Sequence, residues 1–518
     1  MNRTYFYLLS FLEGGAVMAC ELIGAKMLAP YFGTSLYVWA AALGLTLGGL
    51  MTGYFTGGLL SKRYPNRPSV LYWVLILAGL MLVLMPFTSE WVMSRAIDFS
   101  LQFGAVISLL VFMFPPLIFM GMVSPLIINL LNTRVKDAGN SAGNVYAIST
   151  LGGILVTFLM GFRIIPGFGI NYPAIITGVA LGVLPILSLL HRRQTLAMVP
   201  AGLFALAFVA MGWKMQDRGQ GDFTIHYHSE GVLGQIKVLD MPFEDQGEHF
   251  TGRGLVVNNT LQTVMNLEDP DYDFWPYTRY IPLFAAAYPE GSKALLLGMG
   301  GGTLVDRLDD LQMDLEVVEI DERIRRVAVE YFGLDPSTEV IIDDARHFLR
   351  ARKDPKYDII IYDTFISESA PEHILTLEGL QDARSRMKPG GTLLINFYGY
   401  LEGNRGEVVR SVYKTLQKAG YQVQLFTTPG PESDRNILFV ATEGPVIDWH
   451  QRVKAWPEGI DSLSFEQYFL PADQIDTSHA VVLTDRRPQL ELYARASADW
   501  RKLYNQFYTR KFSRFKKY

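Results

Sequence analysis

The chain has 518 residues, 49% of them hydrophobic and 19% charged, and its formal net charge is −5. That length is too great for one ordinary domain, and so small an imbalance of charge over so long a chain excludes a polyanion-binding protein, so no nucleic acid partner is expected. Cys20 is the only cysteine, which excludes an intrachain disulfide framework and a cysteine-based metal cluster. No metal site is expected.

Nearly all the apolar excess lies before residue 213. Seven stretches there have the roughly 20 apolar residues that a helix needs to cross a bilayer core: Tyr5–Ala29, Leu36–Leu60, Val70–Phe87, Phe103–Leu131, Val145–Ile165, Ile170–Leu190 and Leu196–Trp213. One such stretch can be a buried soluble helix, but seven in tandem predict a multi-pass transmembrane domain over residues 1–213. The first is too long for the apolar core of a signal peptide. Glu13, Glu21 and Lys26 lie within it, where lipid penalises charge, so they should face protein or water. Either they contact a cation or substrate inside the bundle, or Glu21 and Lys26 pair and fix the packing. The Gly44–Gly49 run and Gly152-Gly153 read as close helix contacts.

Loop charges give a conflicting orientation. Lys62, Arg63 and Arg67, then Arg134 and Lys136, then Arg192 and Arg193, would place three loops in the cytoplasm. Seven crossings would then leave the rest of the chain outside. A cytoplasmic location of the soluble part, beside a bacterial inner membrane, is nevertheless favoured.

A polar linker, 214–222, leads to a small β subdomain over 223–290, with strands expected at Thr224–His228, Gln235–Leu239 and Gly254–Val257. From 291 to 495 strands and helices alternate, which predicts α/β architecture: a parallel sheet covered by helices on both faces. The expected strands are Lys293–Leu297, Leu315–Val318, Val340–Ile342, Asp358–Tyr362 and Thr392–Phe397, with helices including Glu322–Phe332 and Leu377–Met387. Leu295–Thr303 reads as a strand entering a glycine-rich turn, Gly298, Gly300, Gly301 and Gly302, where a nucleotide can approach the backbone closely. Alone the turn is weak evidence, because Thr303 stands where a dinucleotide fingerprint wants its third glycine. Glu319, 21 positions beyond Gly298, ends the second strand, where a carboxylate can accept both ribose hydroxyls. Asp344 follows the third strand and Asp363 the fourth. Ligands in such sheets bind beyond the carboxyl ends of the strands, so Gly298, Glu319, Asp344 and Asp363 should converge.

Gly298–Thr303, Val317–Asp321, Asp344-Ala345 and Tyr357–Asp363 together resemble the successive motifs of the spermidine synthase (polyamine aminopropyltransferase) family. The resemblance extends to Gln235 and Leu255–Thr263 upstream, and to Ala370–Leu375 and Val482–Asp485 downstream. The helical half, with Gly15–Glu21 and Pro116–Pro125, resembles the membrane extension of some bacterial relatives. The resemblance implies a Rossmann-like S-adenosylmethionine-dependent transferase fold. It also implies that Glu319 holds the ribose, Asp344 with Ala345 the adenine, and Asp363 acts as base, while Gln235, Gln262, Gly298, Gly300 and Gly302 complete the nucleotide site. S-adenosylmethionine or its decarboxylated form would be the substrate and a small amine, or another small acceptor, its partner.

Three positions depart from the family pattern. Gly301 stands for an aspartate of the glycine loop, Ile366 for a second aspartate, and Phe274-Trp275-Pro276 for a triplet that frames the amine pocket. Each replaces a polar or anionic contact that a polyamine wants, with Glu368, Glu372 and His373 as candidates to restore charge. Three readings follow: aminopropyl transfer to an amine with release of methylthioadenosine; methyl transfer or internal cleavage of whole S-adenosylmethionine; or a nucleotide sensor governing a transport-like bundle. As a base, Asp363 needs the low-dielectric setting that Tyr362 and Phe365 offer; otherwise it reads as the N-cap of a following helix. The tail, 496–518, interleaves aromatic and basic residues and reads as a segment lying on anionic lipid or as a solvated terminus. Homo-oligomerisation is left open.

Overall fold

The computed structural model describes residues 3–33, 36–131, 138–216, 223–231, 233–245, 247–351, 356–364, 371–432, 435–445, 447–453, 465–489, 492–493 and 515–516. The chain divides into two compact units, Met1–Gln220 with His228–Ile236, and Gly221–Tyr227 with Lys237–Tyr518.

The first unit is helical: α1 (Arg3–Phe32), α2 (Leu36–Arg63), α3 (Pro68–Ala96), α4 (Leu101–Phe112), α5 (Phe114–Gly121), α6 (Val123–Leu131), α7 (Ala138–Leu159), α8 (Ile165–Phe168), α9 (Asn171–His191) and α10 (Met198–Gln216). Among the described residues seven helical stretches are long and apolar enough to cross a membrane, and Gln102–Phe112 is a shorter apolar helix. The single span expected over Phe103–Leu131 is therefore broken, at Met113 and Met122. Pro115, Pro116 and Pro125 lack the amide hydrogens that would continue the ladder through these points.

Glycines let the helices meet backbone to backbone. A Cβ on Gly14 would lie 1.9 Å from the Ser149 carbonyl oxygen on α7, and one on Gly152 would lie 2.1 Å from that of Phe11. In the same unit Glu230 caps α9: its Oε2 accepts from the Ile170 amide at 2.8 Å, and its Oε1 accepts from the Asn171 side chain at 2.8 Å.

The second part of the chain opens with β1 (Thr224–Gly231), β2 (Gly234–Asp245), β3 (Glu248–Val257) and β4 (Thr260–Asn266), which form a sheet in that order. β3 and β4 join through Asn258 and Asn259, at φ 49° and 62°. Two left-handed residues make the tight hairpin whose twist matches the flanking strands, and asparagine tolerates that conformation. The register shifts between Leu255 and Val256, which face Thr263 and Leu261, so Gln262 is left as the extra residue of a bulge.

After α11 (Tyr277–Ala285) come β5 (Lys293–Leu297), α12 (Thr303–Asp310), β6 (Asp314–Glu319), α13 (Glu322–Tyr331), β7 (Val340–Ile342), α14 (Ala345–Ala351), β8 (Tyr357–Tyr362), α15 (Leu377–Ser385), β9 (Met387–Tyr398), α16 (Glu407–Lys418), β10 (Gln422–Thr427), β11 (Asn436–Thr442) and β12 (Phe469–Leu470). The helix expected through Met387 ends earlier, because Met387 already pairs with Tyr357 as the first residue of β9.

The sheet order is β12-β10-β11-β9-β8-β5-β6-β7. Strands β7, β6, β5, β8 and β9 are parallel, while β11 runs antiparallel between β9 and β10. Strands buried on both faces read as continuous apolar runs, as in Lys293–Leu297 and Tyr357–Tyr362. Strand order reverses between β5 and β8, and the crevice at that switch point is where such folds bind ligands.

Candidate active site

The switch point gathers the ends of β5, β6 and β8. The chain leaves β5 through Gly298, Gly300 and Gly302, at φ 84°, 52° and 98°, conformations that side chains resist. A Cβ on Gly298 would lie 2.1 Å from the Asp363 carbonyl oxygen, so only glycine lets the loop pass the end of β8. The Met299 amide donates to Glu319 Oε2 at 3.2 Å, and the Asp321 amide to Oε1 at 2.9 Å. Glu319 is thereby fixed beneath the glycine loop. Burial, opposed by these amides, pushes its carboxyl up to about 7.

Asp363 ends β8. Its Oδ1 accepts from the Asn396 side chain at 2.8 Å, and the Tyr277 hydroxyl donates to the same carboxylate. Asn396 is itself oriented by Asn436, whose amide donates to Asn396 Oδ1 at 2.8 Å. Burial pushes the Asp363 carboxyl up to about 6, while both hydrogen bonds pull the other way. Burial and the neighbouring carboxylate hold the Tyr277 hydroxyl well above its ordinary value, so it stays a donor. Among the described residues the partners of Asp363 come from α11 and β9.

Asp344 is engaged before any ligand arrives. Its Oδ1 accepts from the amides of Arg346 and His347 at 3.0 and 2.9 Å, the N-cap arrangement for α14, and its Oδ2 meets His373 Nε2 at 2.9 Å. The bond to His373 comes first among the causes that hold this carboxyl at about 2. A carboxylate has about four acceptor positions, so one remains open toward an adenine amino group. Ala345 is the first residue of α14.

Downstream, Arg346 forms two 2.7 Å bonds to the carboxylate of Asp485 and one of 3.1 Å to Asp382, and it also donates to the His373 carbonyl. The segment Val482–Asp485 thus clamps the start of α14 and the loop that carries His373.

Gly301 lies against β4. Its amide donates to Thr263 Oγ1 at 2.9 Å, and a Cβ there would come within 2.6 Å of Thr263 Cγ2. Gln262 precedes Thr263 as the bulged residue. Gln235 belongs to the other unit, where its amide donates to Glu230 at 3.5 Å. Phe274 packs edge-on against Phe243 and Trp275, and Tyr277, three residues on, reaches Asp363. Phe365, Ile366 and Glu368 lie outside the described residues.

The structure therefore joins Gly298, Glu319 and Asp363 around one loop, and adds Tyr277, Asn396 and Thr263. An asparagine inside the apolar run Leu393–Phe397 is a sequence signal for the second of these. Tyr277 carries a weaker signal, its place just after the aromatic triplet. Among the described residues no group of three or more His, Cys, Asp or Glu is arranged to hold a metal ion.

This strand order, with an antiparallel strand inserted near one edge and acidic groups around a glycine loop at the switch point, defines a Rossmann-like domain. No family model matches the chain. It is 29% identical over 180 residues to the polyamine aminopropyltransferase of Vibrio vulnificus, covering 33% of this chain and 58% of that protein. It is 26% identical over 277 residues to the N-terminal histidine N-methyltransferase of Emericella nidulans, 49% of each. Polyamine aminopropyltransferase 1 of Streptomyces coelicolor is 24% identical over 423 residues, 76% of each chain, a share that reaches into the helical half. Spermidine synthase from Thermotoga maritima superposes with a TM-score of 0.37 at 16% identity, over 48% of this chain and 86% of the solved one. The chain thus spans between about half and three quarters of the length of these curated relatives. Several of these relatives are polyamine aminopropyltransferases, so the chain is similar in sequence to the spermidine synthase family.

Proposed function

We propose that the C-terminal half binds decarboxylated S-adenosylmethionine and transfers its aminopropyl group to a small amine, and that the helical half anchors it in a membrane. The observation that carries this reading is Asp363, buried at the switch point against Gly298 and held by Tyr277 and Asn396 with its carboxyl at about 6. In this reading the acceptor nitrogen attacks the carbon beside the sulfonium, the carbon–sulfur bond breaks, and methylthioadenosine leaves with the electron pair. Asp363 takes the proton that the nitrogen gives up. Glu319 accepts the two ribose hydroxyls and Asp344 the adenine amino group. The pairing of His373 with Asp344 supports a role in positioning the nucleotide rather than in replacing lost acceptor charge.

Gly301 supports a second reading, in which whole S-adenosylmethionine is bound and is either a methyl donor or split internally. An aspartate in the glycine loop would repel the retained methionine carboxylate, and this chain has none. A mass-spectrometric product assay decides between the two, with each sulfonium nucleotide offered with and without a diamine. Diamine-dependent methylthioadenosine from the decarboxylated nucleotide alone is the expected result. Methylated product, or methylthioadenosine from whole S-adenosylmethionine without any amine, would replace the first reading with the second. Nucleotide binding without turnover would make the domain a sensor.

A further inference from the structure

Asparagine is a costly residue inside an apolar strand, because a buried amide must have its hydrogen bonds made. Two stand in such runs near Asp363: Asn396 of β9, 4% exposed, and Asn436 at the start of β11, 7% exposed. The register explains why they meet. Tyr362 lies beside Ile395, so the next residues, Asp363 and Asn396, come level. Asn436 lies opposite Tyr398, whose side chain shares a face with that of Asn396 two positions back. The three polar side chains form a row across β8, β9 and β11. Asn436 Nδ2 donates to Asn396 Oδ1 at 2.8 Å, and Asn396 Nδ2 donates to Asp363 Oδ1 at 2.8 Å. The backbone of Asn436 is itself anchored: its amide donates to Thr428 Oγ1 at 2.8 Å, and its carbonyl accepts from the Thr428 amide at 2.9 Å.

A side-chain amide has a donor end and an acceptor end, and a half-turn exchanges them. Only the donor end suits an ionised carboxylate. We infer that Asn436 is a positioning residue for the transfer, acting through Asn396: its donation to Asn396 Oδ1 fixes that amide so that the NH2, and not the oxygen, faces the base. The inference rests on the reading of Asp363 as that base. Without the Asn436 donor, Asn396 is free to turn its oxygen toward Asp363, where it accepts from the protonated carboxyl and favours that form. The neighbouring titratable groups do not replace the lost bond. Tyr277 of α11 already donates to Asp363, and Glu319 of β6 is occupied by the Met299 and Asp321 amides.

The test is the pH profile of methylthioadenosine release from saturating decarboxylated S-adenosylmethionine with a diamine, using the full-length chain in detergent. In wild type the rate should rise through about 6. Asn436→Leu, similar in volume but without the donor, should move that limb up by about one to two pH units, the worth of one hydrogen bond to a charged group. Nucleotide affinity should stay unchanged, which shows that the variant is folded, and Asn436→Ala takes its place if it is not. Asn396→Leu should give a similar shift, and adding Asn436→Leu to it should add nothing, because the second residue acts only through the first. The infrared band of the protonated Asp363 carboxyl, identified by its loss in Asp363→Asn, should titrate with the same shifts in the absence of turnover. That measurement separates a failure of the positioning from a failure of the assigned reaction. A limb and a band that stay at about 6 in the folded Asn436 variants, or shifts that add in the double variant, would overturn the inference and leave Asp363 as the base. Full turnover by Asp363→Asn would overturn both.

Discussion

A base must be ionised to take a proton, yet burial disfavours the ionised form, and Asp363 meets both demands with its carboxyl at about 6. Asp363→Asn keeps the shape and removes the base. Nucleotide affinity should persist while methylthioadenosine release falls by about 10²–10⁴-fold, measured by single-turnover product formation. Unchanged turnover would remove Asp363 from the chemistry. The pH dependence has a defined sign: Asp363 is competent when deprotonated, so the rate at saturating nucleotide should climb as pH rises through about 6. Glu319 gives a separate signature. Only the ionised carboxylate accepts both ribose hydroxyls, so nucleotide affinity should fall as pH drops through about 7. Glu319→Ala should abolish binding in a calorimetric titration and take that dependence with it.

The glycine loop changes what a reversion can be expected to do. Seen in sequence, Gly301→Asp simply restores an acid of the family pattern, but Thr263 Cγ2 occupies the space that the new Cβ needs. Overpacking of this kind costs about 1–3 kcal/mol. Gly301→Asp alone should therefore lower the thermal midpoint, and Gly301→Asp with Thr263→Ser should recover it, because serine drops the methyl group and keeps the Oγ that accepts the Gly301 amide. Equal midpoints for the single and double variants would show that Thr263 yields freely. The same contact marks the limit of what local spacing reveals. Lys293–Leu297 and Val340–Ile342 are legible as strands because a short apolar run between turn residues has few other readings, and the glycine turn with Glu319 follows from strand-to-strand distance. Thr263 against Gly301, Asn396 against Asp363 and Arg346 against Asp485 join residues 38, 33 and 139 positions apart, so no local pattern carries them. The break in the fourth apolar span was available in Pro115, Pro116 and Pro125, but apolarity alone joins what the missing amides divide.

At the scale of the whole chain, the proposed anchoring has a geometric consequence: if all seven long apolar stretches cross a bilayer, their order fixes which ends share a face. Phe32, Ala96, Phe168 and Trp213 would then end on the face from which the C-terminal half emerges, and Arg63, Leu131 and His191 on the other. The loops on the second face are richer in Lys and Arg, which argues that this face is cytoplasmic and the nucleotide domain outside. The helices narrow that imbalance, because α1 carries Lys26 and α3 carries Arg95 toward the first face, and Arg163 follows α7. Supply of the nucleotide then decides the expectation, since both sulfonium compounds are made inside the cell. A fluorescent protein fused after Tyr518, of a kind that matures only in the cytoplasm, should fluoresce in intact bacteria, and alkaline phosphatase at the same place should be inactive. The opposite pair of results would put the domain outside, and a function that consumes a cytoplasmic nucleotide would go with it.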